Sequence, residues 1–344
     1  MSQLYWPIPK YLSIPKLSGI AATLVVSFSS GPESVCWMEE TRMQSLSQLL
    51  EQAKMGGVAI GHFNVSDIVL LKAVCSSAMD VQVPVLVGVS EGERRFLGTR
   101  QIAALVRSLR EEYGFPIFLN ADHAHSLESA VEAARCGFDA VTFDRSALTL
   151  EQNIYETQLA IQALKAINPG ILVEGEIGDI GTGSEIHEAE QQEPRRLTTP
   201  DEARQFVEAT GVDILAPAVG NSHGLVKSMV AGTTKKRLDV ALIAEIKRAV
   251  RIPLTLHGGS GTDDGDLREA IGAGINIVHI NTELRVAWRR GLEEGLCEDI
   301  NQVVPYKILP RAVEAVSRVA RSRMELFNSG PMGFIVKVVT ETGV

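Results

Sequence analysis

The sequence predicts an α/β protein folded as a single (β/α)8 TIM barrel, and three observations carry that reading. From residue 58 onward, short β-branched apolar segments alternate with amphipathic stretches of helical period. Eight such pairs fit into about 230 residues, the number and scale of a barrel. The chain has seven histidines. None lies in a helix-like segment; all sit in strand-like segments or in the loops that follow them, which a barrel gathers around one mouth.

The strand-like segments are Val58–Val65, Pro84–Ser90, Phe115–His123, Ala140–Ser146, Ile171–Gly178, Val212–Gly220, Ile252–Gly261 and Ile275–Glu283. Each is short and apolar, as strands buried on both faces require. The helical stretches between them include Leu127–Cys136, Leu150–Ile167, Pro200–Thr210 and Val240–Val250, with Gly137, Gly211 and Gly274 where C-caps belong. The same alternation would suit a doubly wound open sheet. That fold carries Gly-x-Gly-x-x-Gly after its first strand, whereas here the strand runs into Phe63-Asn64-Val65-Ser66-Asp67. Two connections, Asp179–Thr199 and Asn221–Asp239, are longer than the rest; in a barrel both belong to the catalytic face as candidate lids.

Apolar residues make up 45% of the 344 and charged ones 22%, enough for a large core and against intrinsic disorder. With 33 basic and 42 acidic side chains the net charge is −9, which argues against a nucleic-acid binder. No apolar run reaches the length of a membrane span. The four cysteines, Cys36, Cys75, Cys136 and Cys297, form no C-x-x-C pair, so neither a disulfide framework nor a thiolate zinc knuckle is expected. The expected compartment is the cytoplasm, and any metal must be held by histidine and carboxylate. Residues 1–42 break the pattern: Pro7, Pro9 and Pro15 precede an uncapped apolar stretch from Leu17 to Phe28 that matches a signal peptide only loosely. They are expected to be a poorly ordered extension, ahead of a barrel domain over 43–330 and a tail over 331–344.

Three histidines stand at strand ends. They are His123 in Asn120-Ala121-Asp122-His123, His223 in Gly220-Asn221-Ser222-His223-Gly224, and His257 in Leu256-His257-Gly258-Gly259-Ser260-Gly261. Three imidazoles with an open position describe a catalytic zinc site. His62, mid-strand, and His187, in a loop, default to structural or solvent roles. Carboxylates gather on the same face: Asp122, Asp144 at the end of strand four, and Glu174 with Glu176, which alternate and so point the same way. An unpaired buried carboxylate is costly, and a metal removes that objection. The turns His257–Gly261 and His279-Ile280-Asn281-Thr282 end strands seven and eight, where barrels commonly bind phosphate through backbone N–H groups. Lys227, close behind His223, could add a cation.

In this order, Asn64, Asp122-His123, Glu174-Gly-Glu176-Ile-Gly178, Ala218-Val-Gly-Asn-Ser-His-Gly224, Leu256-His-Gly-Gly-Ser-Gly261 and Asn281-Thr-Glu-Leu-Arg285 resemble the class II, zinc-dependent ketose-bisphosphate aldolases. Fructose- and tagatose-bisphosphate aldolases are members of that family. The resemblance spans roughly residues 43–330. It implies that His123, His223 and His257 hold a catalytic Zn2+. Asp144 and Glu176 would serve a second divalent metal or an alternative zinc position, and a monovalent cation also has a place in the scheme. Asp122 would exchange the proton of the substrate C4 hydroxyl. Glu185, in the loop after strand five, would be the second proton-transfer acid. Asn64, Gly224, Lys227, Gly258, Gly259, Ser260, His279, Asn281 and Thr282 would surround a small sugar phosphate, mostly at its dihydroxyacetone phosphate end. The implied protein is an aldehyde-lyase of carbohydrate metabolism, of the glycolytic type, acting as a homodimer or homotetramer on a ketose 1,6-bisphosphate, with no nucleic-acid or membrane partner.

Four positions depart from the family's usual pattern. His279 replaces an asparagine, Ile277 a common lysine and Arg145 a small residue, and His125 is unusual where it stands. These leave open which sugar is used, tagatose bisphosphate or another ketose phosphate being the alternatives to fructose 1,6-bisphosphate. A Schiff-base mechanism needs a lysine on a barrel strand, and none of the eight segments holds one. The His123-Ala124-His125 pair would also suit a metal-dependent hydrolase that activates water, but that reading leaves Asp122 and the glycine turns without roles.

Overall fold

The structure is a computed structural model, and it describes residues 43–181, 183–188 and 196–334. The expectations for residues 1–42 and for the tail beyond 334 fall outside those residues. Eight parallel strands close into a barrel: β1 (Ile60–Asn64), β2 (Val85–Ser90), β3 (Ile117–Ala124), β4 (Ala140–Phe143), β5 (Leu172–Ile177), β6 (Ile214–Pro217), β7 (Leu254–Leu256) and β8 (Ile275–Ile280). Each strand pairs with its sequence neighbours, and β1 closes on β8 with His62 opposite His279. The open-sheet alternative is thereby excluded.

Six of the eight strands stop short of the apolar segments that announce them, because the last residues of those segments leave the sheet to build the mouth, whereas β2 and β3 run to the end of theirs. β7 is the extreme case. Gly258 and Gly261 have φ of +61° and +79°, backbone that a strand cannot hold, so the chain turns out directly after Leu256. Gly137 and Gly211 cap their helices in the left-handed conformation, as their positions predict. The two long connections meet each other: Ile186–His187 pairs in parallel with Leu225–Val226. No sequence signal marks that two-residue ribbon.

Inside the barrel, alternate residues of each strand face the axis and stack in layers. The layer nearest the amino end is apolar. Ile60, Leu86, Phe118, Ala140, Leu172, Ile214 and Ile277 meet Leu46, Leu49 and Leu50 of the helix Leu46–Gly56, which plugs that end. Ile277 thus belongs to the plug, which explains why an apolar side chain suits it. Outside the barrel, the helices bury their apolar stripes in one continuous shell against the strands. Among the described residues, no helix is long and apolar enough to cross a membrane.

The helices Thr282–Glu298 and Pro310–Phe327 pack closely because Gly291 has no side chain: a Cβ there would lie 2.6 Å from the Arg311 carbonyl oxygen and 2.7 Å from the Ala312 Cα. Gly291→Ala should therefore destabilise the fold by about 1–3 kcal/mol, as overpacking does. Gly272→Ala, in a helix with nothing near the new methyl, should stabilise it by about 0.5–1 kcal/mol. Urea unfolding of both variants checks the opposite signs.

Candidate active site

Above the apolar plug, the inward-facing residues become polar. β1 continues Ile60 with His62 and Asn64, β3 continues Phe118 with Asn120 and Asp122, and β5 continues Leu172 with Glu174 and Glu176. All six of these polar residues are buried. They form a connected network. The Asn120 amide stands 3.1 Å from His62 Nε2 and donates to Thr142 Oγ1 at 3.1 Å. Thr142 donates to Glu174 Oε1 at 3.0 Å, and Thr255 donates to Glu174 Oε2. Glu174 then meets His257 Nε2 at 2.8 Å.

At the mouth, one ring nitrogen of each of His123, His223 and His257 lies within 4.8 Å of the others. Each ring's remaining nitrogen is held by an oxygen: His123 Nδ1 by Asp144 at 3.0 Å, His223 Nδ1 by the Gly181 carbonyl at 2.6 Å, and His257 Nε2 by Glu174. When the held nitrogen carries the proton, the opposite one presents a lone pair. His123 Nε2 and His257 Nδ1 face each other at 3.1 Å, close to the roughly 3.3 Å between nitrogens bound tetrahedrally at about 2.0–2.1 Å. The buried Glu176 Oε2 has no hydrogen-bond partner and sits 3.7 Å from His123 Nδ1. This donor set fits a divalent cation, with oxygen-held imidazoles of the kind that orient metal ligands. His123 reaches the cluster through a bulge: the β3–β4 register shifts between Ala121 and Ala124, and His123 adopts φ of +50°. Such backbone is costly for a residue with a Cβ, and it re-aims the side chain.

The electrostatics follow from crowding three buried carboxylates, Asp122, Glu174 and Glu176, and the half-buried Asp144 around these rings. Burial opposes charge on His123, yet Asp122, Asp144 and Glu176 together raise it to about 10. Burial, and then the nearby Asp144, push Glu176 up to about 7. Asp122 goes the other way: burial would raise it, but His123, His279 and His62 outweigh that and hold it well below the carboxylate range. The mouth therefore attracts positive charge, while Asp122 stays an acceptor at neutral pH.

Asp122 is held on two sides. Asn64 donates to its Oδ2 at 2.8 Å, and His279 Nδ1 lies 3.3 Å from its Oδ1. The same Asn64 amide donates to Glu93 Oε2 at 3.0 Å. Glu93 accepts from Arg285 at 2.8 Å, and Arg285 also donates to the Ser184 carbonyl at 2.9 Å. His279 stacks on His62 with ring centroids 3.4 Å apart and 4° between planes. Gly88 makes room for that stack, since a Cβ there would overlap the His62 ring.

Two adjoining cavities open at this mouth, sharing Asp122, Ser184, His223 and Asn281. The deeper one brings in Asn64, Gly224, Gly258, Ser260, His279 and Thr282. Gly259 is buried beside it. His125 and Asp144 line the outer one. Three residues singled out by sequence stand apart. Lys227 is exposed and pairs with Glu188 at 2.7 Å. Glu185 is exposed and lines neither cavity; its carbonyl accepts from Leu225. Arg145 bonds the His125 carbonyl and pairs with Glu156. Sequence reasoning assigned no task to Glu93, Glu174 or Arg285. Glu174 was signalled by the alternation on β5. Glu93 was masked because Ser90-x-x-Glu93 reads as a capping box, which it also is.

A closed barrel with imidazoles and carboxylates converging at the carboxyl ends of its strands defines a barrel enzyme. Comparison with known proteins gives its class. Residues 44–331 match the class-II fructose-bisphosphate aldolase family. The chain is 34% identical over 303 residues to the fructose-bisphosphate aldolase of Thermus caldophilus, covering 82% of this chain and 97% of that one. It is 31% identical over 281 residues to the sulfofructosephosphate aldolase of Alkalicoccus urumqiensis, covering 82% and 95%. The crystal structure of the YdjI aldolase from Escherichia coli K12 matches with a TM-score of 0.69 and 27% identity, covering 85% of this chain and all of that one. The chain belongs to the class-II fructose-bisphosphate aldolase family. It is an aldolase, and the family implies a divalent metal and a sugar-phosphate substrate.

Burial lowers His62 from 6.5 to about 4, with Asp122 and Glu174 opposing. The unfolded chain binds this proton below pH 6.5 and the folded one only below about 4. Stability is therefore lost as pH falls through that window, by about 3 kcal/mol from this residue. In His62→Gln the same interval should cost measurably less. Urea midpoints at pH 7 and pH 4.5 for both proteins check this.

Proposed function

We propose that the protein cleaves a ketose 1,6-bisphosphate, fructose 1,6-bisphosphate first among them, into dihydroxyacetone phosphate and an aldehyde phosphate, with Zn2+ held by His123, His223 and His257. The observation that carries it is the convergence of three imidazoles whose far nitrogens are each held by an oxygen. A bound divalent cation supplies positive charge to the ketose carbonyl and so stabilises the enediolate that cleavage generates. Asp144 and Glu176 would serve a second metal position, a reading supported by their clustering with His123.

The chain's own groups do the proton work. Asp122, held ionised between Asn64 and His279, takes the proton of the C4 hydroxyl. As that O–H electron pair becomes the aldehyde carbonyl, the C3–C4 bond breaks and its electrons pass into the enediolate. A proton returned to C3 completes dihydroxyacetone phosphate, and Glu185, on the loop that pairs with Leu225–Val226, is the proposed donor. Gly224, Gly258, Gly259, Ser260, Asn281 and Thr282 form the phosphate end, with Asn64 and His279 beside the reacting carbons and Lys227 at the outer edge. His125 stands with its side chain 55% exposed, 3.6 Å from Asp144 and outside the three-imidazole cluster, which favours the aldolase over the hydrolase reading. Family membership also supports a homodimer or homotetramer working in the cytoplasm.

A chelator should abolish cleavage of fructose 1,6-bisphosphate in a coupled assay, and Zn2+ should restore it. Full turnover in metal-free protein overturns the reading, and parallel assays with tagatose bisphosphate identify the sugar. Asp122→Asn should lower cleavage by roughly 10²–10⁴-fold while the C3 proton of dihydroxyacetone phosphate still exchanges with solvent. Glu185→Gln should lose exchange. Equal loss of cleavage and exchange in Asp122→Asn, at wild-type metal content, removes Asp122 from its role.

A further inference from the structure

The second long connection carries Lys236 into the protein. Its residue is 7% exposed, and its Nζ is surrounded by four backbone carbonyls: Ser222 at 2.6 Å, Gly224 at 2.6 Å, Gly258 at 3.1 Å and Ser260 at 2.7 Å. A neutral amine would turn a lone pair toward this ring of carbonyl oxygens, whereas an ammonium has three donors and no lone pair, and so suits a site made only of acceptors. A ring of backbone carbonyls at such distances is also how proteins replace the hydration shell of a small monovalent cation. We propose that the Lys236 ammonium is the resident cation of the phosphate end of the site, occupying a carbonyl cage that would otherwise take a free monovalent cation. This rests on the assignment of Gly224, Gly258 and Ser260 to that end.

The cage joins the two loops on which the cluster depends. Ser222 and Gly224 flank His223, while Gly258 and Ser260 follow His257. The loops touch at the backbone: Gly258 has φ of +61°, and a Cβ on it would run into Ser222. The N–H ends of the same four peptides are also fixed. His223 donates to the Ile180 carbonyl at 3.1 Å, Leu225 to that of Glu185 at 2.9 Å, Gly259 to that of His279 at 3.0 Å, and Gly261 to the Glu283 carboxylate at 2.7 Å. The lysine is delivered by its own backbone, whose N–H donates to the Gly261 carbonyl at 2.9 Å and whose carbonyl accepts from Asp263 at 3.2 Å. Lys236 is thus a positioning residue. It orients four peptide dipoles around one centre, holds the His223 and His257 loops together, and keeps a positive charge beneath the subsite for a phosphate dianion.

Kinetics of the zinc-loaded enzyme with sodium, potassium, ammonium or tetramethylammonium as sole monovalent cation, at equal ionic strength, test this. Wild type should vary by no more than about twofold, because the cage is filled. Lys236→Ala empties the cage; its KM should rise roughly 10–100-fold in tetramethylammonium, the scale of lost hydrogen bonds to a charged group. Potassium or ammonium should recover most of that loss. Lys236→Met fills the same space without charge and should not be rescued. The melting temperature of Lys236→Ala, measured without substrate, should rise in potassium over tetramethylammonium, and that of wild type should not. A wild-type enzyme that loses activity in tetramethylammonium overturns the proposal, as does Lys236→Ala with no ion-specific gain in either readout. If Lys236→Ala does not fold, the ion dependence of wild type decides alone. If no ketose phosphate is cleaved by any of the proteins, the aldolase substrate fails, while the melting temperatures still decide the cage.

Discussion

The Glu174 carboxylate, buried at the centre of the barrel, is the constraint on which the site depends. An imidazole offers a fixed lone pair only if its other nitrogen is committed, and Glu174 commits His257 at 2.8 Å. A buried carboxylate must itself be satisfied. Thr142 and Thr255 do so with one hydroxyl each, and Asn120 extends the network to His62. Since β1, β3, β4, β5 and β7 all contribute to this layer, the register of the barrel and the aim of the His257 ring are set together. The apolar plug beneath it keeps water from the network from the amino end.

Two carboxylates that flank the His123 ring are driven in opposite directions by their neighbours. Glu176 faces Asp144 and burial with no hydrogen bond on its Oε2, and it is raised to about 7. Asp122, ringed by three imidazoles and the Asn64 amide, is held ionised. Splitting like groups by environment in this way separates an acceptor fit for proton transfer from oxygens fit for a cation. The His62–His279 stack belongs to the same device. It fills the place of the family's usual asparagine with a ring whose plane is fixed from below, so that its Nδ1 meets Asp122.

The loops show a different economy. The positive φ of Gly224, Gly258 and Gly261 lets two chain segments meet backbone to backbone, and Lys236 then binds the carbonyls that this approach exposes. Arg285 performs a similar service across the mouth, linking Glu93, and through it Asn64 and Asp122, to the Ser184 carbonyl of the loop after β5. Positions beyond the reacting groups are thereby fixed by cations that reach across from other loops.

The sequence by itself determined the barrel, because strand and helix periods are local and eight alternations leave few ways to close. It also determined which residues lie at the mouth: His123, His223, His257, Asp122 and Asp144 each stand late in a strand-like segment or just past one, and strand ends in a barrel share one face. Alternation on β5 fixed that Glu174 and Glu176 point together. What alternation could not supply is which of the two holds His257 and which faces the cluster, since that depends on the layer each reaches across the barrel. Only tertiary structure decided that His62 stacks under His279, that Ile277 belongs to the plug, and that the Ser90–Glu93 capping box also serves Asn64. It alone placed Lys236, 13 residues past His223 in a polar loop, among four carbonyls. Those contacts join residues far apart in sequence through backbone atoms, which carry no residue identity, and so no pattern of side chains announces them.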